Sequence, residues 1–298
     1  MANVVIIGRA MRPTAKSLIL DLLSTLRRGS MPVRALVAAG KFFGIAENSL
    51  RVALARLLAG GLVERDERGQ YRAGSRAETL DRWIKRWRTI DEGMRPWDGT
   101  WVAALGVNVR APRRASSDEQ NPLRALRFLA FRELVPGVHV RPDNLAGGVA
   151  GIREQLHTLG LPPDVVVGAL RELDGLTAAR VRRLWDVRAL RRSYRDTVAA
   201  LAASEAHLPD LPPHEAMVES FLLGGRTIRQ LVLDPLLPES LVPAAERAAL
   251  ITAMRRYDRV GRASWASFMR GFDILPEARA PVDLRSVERV GELEGVGT

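Results

Sequence analysis

The 298-residue chain contains no cysteine, which excludes disulfides, thiolate metal sites and cysteine nucleophiles. Lysine occurs only at 16, 41 and 85, so nearly all positive charge is arginine. Arginine richness by itself identifies no partner. Long apolar runs are also missing. "VVVGAL" at Val165–Leu170 falls far short of the ~20 residues a membrane helix needs. The opening "MANVVIIG" has no basic residue before its short apolar run, unlike a signal peptide. The expected location is cytoplasmic, with no membrane partner. His139, His157, His207 and His214 show no close pairing, "HEAMV" lacks the second histidine of H-E-x-x-H, and G-x-S-x-G is absent. Neither a metal nor a Ser-His triad is expected. "VVIIGRAM" has only Gly8 where a dinucleotide loop needs three glycines. "GGVAGI" at Gly147–Ile152 lacks the lysine and hydroxyl of a phosphate loop and reads as a plain helix entry.

What the chain does have is a lopsided charge. The net charge is +11, and residues 1–95 hold 18 basic and 9 acidic residues of the total 45 and 34. The first third therefore carries most of the excess, on a nearly neutral remainder. A basic domain on such a body points to a polyanionic partner for that domain.

The pattern predicts an α+β multidomain chain. A helix capped by Thr14 runs to about Arg28, with Leu18, Leu22 and Leu26 on one face and Gly29 as its stop. Pro32 suits the first turn of a second helix, Val33 to about Phe43. A third, Glu47–Ala59, is closed by Gly60 and Gly61. "LVERD" and "QYRAG" then read as two strands around a turn containing Gly69. Three helices and a hairpin make a winged helix-turn-helix over 1–75. A connecting helix over 76–96 carries Leu80, Trp83, Ile84 and Trp87 on one side. Strand, helix (Leu123–Leu134), strand, helix (Gly148–Leu159) and strand then predict a ferredoxin-like α+β domain over 97–174. Residues 175–298 read as a helical domain, with segments 177–204, 214–232 and 243–257 and a loosely ordered tail.

On a helical wheel of the third helix, Leu50, Ala53, Leu54 and Leu57 fall on one side. Asn48, Val52 and Ala55 fall opposite, flanked by Arg51 and Arg56, with Ser49 near Arg56. Small and hydrogen-bonding residues bordered by arginines suit the major groove, where arginine bonds guanine bidentately. Lys41 and the wing residues Arg65, Arg68, Gln70 and Arg72 complete the expected DNA-binding set, placed to reach phosphate or minor groove. A solvated, merely packed helix is the simpler alternative, and the two preceding helices, the hairpin and the local charge weigh against it.

"ENSLRVALARLLAGGLVE" resembles the third helix and wing entry of the PaaX family, repressors of phenylacetic acid catabolism and related regulators. "WDGTW" at Trp97–Trp101 and "LDPLLPESLVP" at Leu233–Pro243 follow in the family's order, so the resemblance spans about residues 14–270. It implies a winged helix, a ferredoxin-like domain and a helical domain, a homodimer on an inverted-repeat operator, and release of the repressor by an aryl-acetyl-CoA thioester such as phenylacetyl-CoA. No cofactor is implied beyond that acyl-CoA effector.

For such an effector, the arginine-rich stretch from Ala178 offers Arg188, Arg191, Arg192 and Arg195 for phosphates, with Trp185 and Tyr194 for stacking. A solvated face, or extra contact with DNA backbone, are the alternatives there. A metal-dependent nuclease centred on the ferredoxin-like domain is the runner-up function. Against it, the first strand ends "GVNV" with Asn108 where such a nuclease carries an aspartate. A protein-interaction winged helix is the third reading.

Overall fold

The computed structural model describes residues 13–24, 30–74, 86–90, 92–107 and 122–274. Asn108, most of the connecting helix including Leu80, Trp83 and Ile84, and the tail beyond 274 lie outside the described residues. The chain divides into two compact units, 13–74 with 266 onward, and 75–265.

In the smaller unit, α1 (Ala15–Ser24), α2 (Val33–Phe42) and α3 (Glu47–Ala59) pack around Leu18, Leu22, Leu36, Leu50 and Leu54, all buried. Thr14 caps α1 reciprocally with Ser17, each backbone N–H meeting the other's hydroxyl at 3.0 and 3.1 Å. α2 and α3 approach closely at Gly40, where an added β-carbon would run into the buried Leu50 side chain. Gly61 (φ 67°) ends α3: its N–H reaches Leu58 O and that of Leu62 reaches Leu57 O, both at 3.0 Å. Strands β2 (Val63–Arg65) and β3 (Gln70–Ala73) form the expected hairpin. Its turn is closed by Gly69 N–H on Asp66 O and by Gln70 N–H on the Asp66 carboxylate, with Gly69 at φ 76°. A strand not expected from the sequence, β1 (Met31–Pro32), pairs with β3 and gives the order β1-β3-β2. Within this unit the C-terminal residues contribute Phe268 and Phe272, Phe268 packing edge-on to Phe42 at 5.8 Å.

The larger unit is built on β4 (Trp101–Leu105), β5 (Arg132–Val135), β6 (Val138–Pro142) and β7 (Val166–Leu170). All neighbours are antiparallel, in the order β5-β6-β4-β7. With α4 (Pro122–Phe128) and α5 (Gly148–Thr158) the chain order is β-α-β-β-α-β. Alternation splits the sheet into two faces. Val102, Ala104 and Val167 pack with Leu126, Ile152 and Leu156 of α4 and α5. Trp101, Ala103 and Val140 pack on the other side, in a core shared with Val181, Trp185, Tyr194, Leu250 and Tyr257. Val181 belongs to α6 (Gly175–Arg182), Tyr194 to α7 (Val187–His207) and Leu250 and Tyr257 to α9 (Ala244–Gly271), while Trp185 lies in the turn between α6 and α7; with α8 (Pro213–Val232) these make up the helical part. The boundary expected at 174/175 thus crosses a common hydrophobic core, and the compact units part elsewhere.

Three element boundaries differ from the sequence reading. The helix expected over Leu123–Leu134 stops at Phe128, and Arg132–Val135 is a strand. Ala130 (φ 58°) takes the left-handed position, and the Phe131 and Ala130 N–H groups close on Leu126 and Arg127 carbonyls. The segment 177–204 is two helices, because Asp174 and Asp186 each cap a new start, accepting from Leu176, Thr177 and Ala189 N–H groups. The last helix runs on from 257 to Gly271. Among the described residues no helix is long and apolar enough to cross a membrane.

Candidate nucleic-acid interface

α3 divides by exposure as its periodicity requires. Leu50, Leu54 and Leu57 are buried, whereas Asn48, Ser49, Arg51, Val52, Ala55 and Arg56 are exposed. Val52 is 43 % exposed, a large apolar side chain left in water at the middle of the strip. Arg51 is drawn back along the helix by Glu47, with Nη2 2.7 Å and Nε 2.9 Å from one carboxylate oxygen. That i,i+4 pair is exposed on both sides, worth ~0.3–0.5 kcal/mol and easily exchanged for a phosphate or base. Arg56 has no ion-pair partner among the described residues.

The β2–β3 hairpin holds three arginines in three settings. Arg72 is paired with Glu64 across the hairpin at 3.0 Å. The Arg65 guanidinium lies 5.9 Å from the centre of the Tyr71 ring, braced on the strand beside it. Arg68 stands exposed in the turn, and Lys41 is exposed in the last turn of α2. Gln70 departs from the expected role: it is half-buried, and its side-chain oxygen accepts a hydrogen bond from Ser30 at 2.8 Å. It ties the segment before β1 to β3 rather than presenting itself to a partner. Gly74 closes the hairpin's base, its N–H on Leu62 O at 3.0 Å.

The residues expected to bind an effector do not form one surface. Trp185 is buried, donates from Nε1 to Ala130 O at 3.3 Å and stacks on Trp101 at 6.1 Å. Tyr194 is 0 % exposed, and its hydroxyl donates to Asp234 at 2.5 Å. Burial and the facing carboxylate push the Tyr194 hydroxyl's pKa up, and burial raises Asp234. Both rings are core, filled on every side, so stacking on a ligand is not available to them. Arg191 grips Glu246 with two bonds of 2.8 and 2.9 Å and Arg195 adds a third at 2.8 Å, which holds the Glu246 carboxyl down at about 2. Of that set, Arg188 and Arg192 alone are exposed and unpaired among the described residues.

The two downstream motifs are explained by packing that sequence reading missed. In "WDGTW", Gly99 (φ 92°) turns the chain. Trp97 Nε1 donates to Thr100 O and Asp98 accepts from Thr100 N–H, and hydrogen bonding from the Thr100 side chain, then from its backbone, holds the Asp98 carboxyl below the usual range. "LDPLLPESLVP" is seated by two side chains of "RPDN" at Arg141–Asn144. The fully buried Arg141 donates to Leu129 O at 2.6 Å and to Pro235 O at 3.5 Å, and Asn144 donates to Leu236 O at 2.6 Å. Desolvation pulls the Arg141 guanidinium down to about 10, so its carbonyl cage holds a costly buried cation. Only the unusual "RPDN" in a strand-ending position signalled this.

No curated protein matches the chain. Among solved structures, uncharacterized protein Rv0674 from Mycobacterium tuberculosis is similar in fold, with a TM-score of 0.54 and 24 % identity, covering 84 % of this chain and 98 % of its own. The model of the family described as PaaX-like protein matches residues 14–76, from the cap of α1 through the hairpin, and so bears out, over that segment of the 14–270 span, the resemblance read from α3.

Proposed function

We propose that the chain is a double-stranded-DNA-binding transcriptional regulator of the PaaX type, a homodimer that represses a catabolic operon from an inverted-repeat operator. In this reading the smaller unit is a winged helix and residues 97–174 form a ferredoxin-like domain serving architecture rather than catalysis. α3 enters the major groove, with Asn48, Ser49, Arg51, Val52 and Arg56 toward base edges. Lys41, Arg65, Arg68 and Arg72 hold phosphates on either side. The observation that carries the reading is the split of α3 into a buried leucine face and an exposed polar strip, beside an arginine-bearing hairpin, inside the PaaX-like match.

The effector is proposed as an aryl-acyl-CoA, by the same resemblance, with Arg188 and Arg192 as the arginines free to meet its phosphates. Such a ligand releases DNA only through unequal affinity for the bound and free geometries. The test is a mobility shift of the full chain on its own upstream region at several salt concentrations. Saturable binding that outlasts competitor DNA and weakens steeply with salt is expected. Equal affinity for any duplex, or none, would end the proposal. Phenylacetyl-CoA added to the complex then tests release.

A further inference from the structure

Several arginines of the larger unit have partners close by. Arg88 and Arg262 share Asp258, Arg256 holds Glu205, and Arg153 and Arg247 donate to carbonyl oxygens. The stretch that closes α6 and opens α7 is different. Arg180, Arg182, Arg183, Arg188 and Arg192 are all exposed, and none has an ion-pair partner among the described residues. The acids that could quiet them are engaged or apart. Asp186 caps α7, accepting from Ala189 N–H at 2.8 Å. Asp196, one turn beyond Arg192, makes no ion pair with it. Glu246 is already held by Arg191 and Arg195.

Helix geometry sets these cations in a row. On α7 the buried side carries Tyr194 and Leu201, and Arg188, Arg192 and Arg195 recur at i, i+4 and i+7 on the opposite side. At ~1.5 Å per residue, Arg188 and Arg192 stand ~6 Å apart along the axis. Arg182 and Arg183 lie at the end of α6, just before the turn that leads into α7. Arg180 and Arg182 suit that end, where the helix dipole favours cations. Arg188 has no such reason. It stands in the first turn of α7, which holds no acidic residue, at the end the dipole makes positive. Like charges one turn apart also repel. The fold gains nothing from a cation there, and an anion from outside would. Trp185 and Tyr194, being core, lend the row no ring for stacking. What it offers is charge spread along a helix, which fits a repeating polyanion.

We propose that this row is a sequence-independent contact for the phosphate backbone of duplex DNA, additional to α3. It rests on the reading that the chain binds duplex DNA. One strand of a duplex carries a phosphate every ~3.4 Å of axis, so arginines ~6 Å apart meet phosphates of a single strand together. Guanidinium forks bond phosphate oxygens bidentately and read no base in doing so. Arg188 and Arg192 are also the arginines proposed for the phosphates of the effector. The same two cations cannot hold both, so effector and backbone exclude each other at that place.

The test is a mobility shift of the full chain over a salt series on two duplexes of equal length, its own upstream region and a shuffled sequence of the same composition. One variant carries Arg182→Gln, Arg183→Gln, Arg188→Gln and Arg192→Gln. A second carries Arg182→Lys, Arg183→Lys, Arg188→Lys and Arg192→Lys. All four side chains are exposed and unpaired among the described residues, so folding is not at stake, and thermal melts check this. Each lost phosphate contact flattens the slope of log affinity against log salt by about 0.9, so the glutamine variant should lose about two to four, equally on both duplexes. The lysine variant should keep the parent's slope, because a backbone phosphate asks only for a cation. The proposal is overturned if the glutamine variant keeps the parent's slope, if its loss is confined to the upstream region, or if lysine fails as glutamine does. Operator binding that the glutamine variant leaves unaltered ends this proposal while the operator reading stands. A lost slope in a chain whose parent does not distinguish the two duplexes ends the operator reading while this proposal stands.

Discussion

Arg51 and Arg56 flank the same strip of α3 yet differ in what they must give up to meet DNA. In the proposed complex Arg51 would exchange one carboxylate partner for another anion, whereas Arg56 would exchange only water. Replacing Arg56 by alanine should cost about 1–3 kcal/mol of operator affinity if it reads a base, and should relax preference at one position. If it holds only phosphate, the loss is the same on every duplex and the salt slope falls by about one. Competition mobility shifts over a panel of single-base operator variants separate the two, and unchanged binding would remove Arg56 from the interface. Tyr194 is the opposite kind of residue. Tyr194→Phe leaves the buried Asp234 carboxylate without its 2.5 Å donor, which should cost about 1–3 kcal/mol in urea unfolding. Since the ring serves the core, DNA affinity below the unfolding transition should stay as it was.

At the scale of elements, a glycine sets the angle of the β2–β3 hairpin. A β-carbon on Gly74 would sit 2.5 Å from Gly61 O, a backbone atom fixed by the end of α3. Gly74→Ala should therefore destabilise the smaller unit by about 1–3 kcal/mol and tilt the wing. A lower thermal midpoint with weakened DNA binding is the expected pair of readouts. This geometry also shows why some elements were legible in sequence and others not. α3 announced itself by a leucine every three or four residues and a glycine at the left-handed position, both local signals. α4 ended invisibly, because Ala130 took the position usually given to glycine. β1 is two residues long and includes a proline, so only its pairing with β3 defines it. The arginine strip was likewise readable residue by residue. That Trp185 and Tyr194 face inward was not, since periodicity says which face is buried but not against what.

A second element-scale contact gives stability a pH dependence. His207, in the last turn of α7, points Nδ1 at Ala203 O at 2.8 Å and Nε2 at Glu219 of α8 at 3.0 Å. Both neighbours are acceptors, so the doubly protonated ring is favoured. The Ala203 carbonyl and then Glu219 raise its pKa above the ordinary value, with Asp210 adding to the effect. The unfolded ring titrates near ~6.5. The stabilisation is thus fully present below that pH and is lost as pH rises through the higher folded value. Thermal midpoints should fall over this window in the parent and stay flat for His207→Gln, with direct titration by NMR placing the folded pKa above the unfolded one.

For the molecule as a whole, the shared core decides what can be separated. Trp101, Ala103 and Val140 on one face of the sheet are buried against Val181, Trp185, Tyr194 and Tyr257 of the helical part. Cutting the chain between 174 and 175 would expose both halves of that core. The same cut would strip Arg141 and Asn144 of the Pro235 and Leu236 carbonyls. Each kind of loss is large against a typical domain stability of ~5–15 kcal/mol. Residues 97–174 made alone should therefore be insoluble or lack cooperative unfolding, as should 175–265 alone. Mixed together during refolding, the two pieces should recover a single cooperative transition, because the interface they share is a domain core cut in two. Circular dichroism melts of each piece and of the mixture check this. Independent cooperative folding of residues 97–174 would restore the boundary that the sequence pattern placed there, and would make the tryptophan stack of Trp101 and Trp185 a docking contact rather than a core.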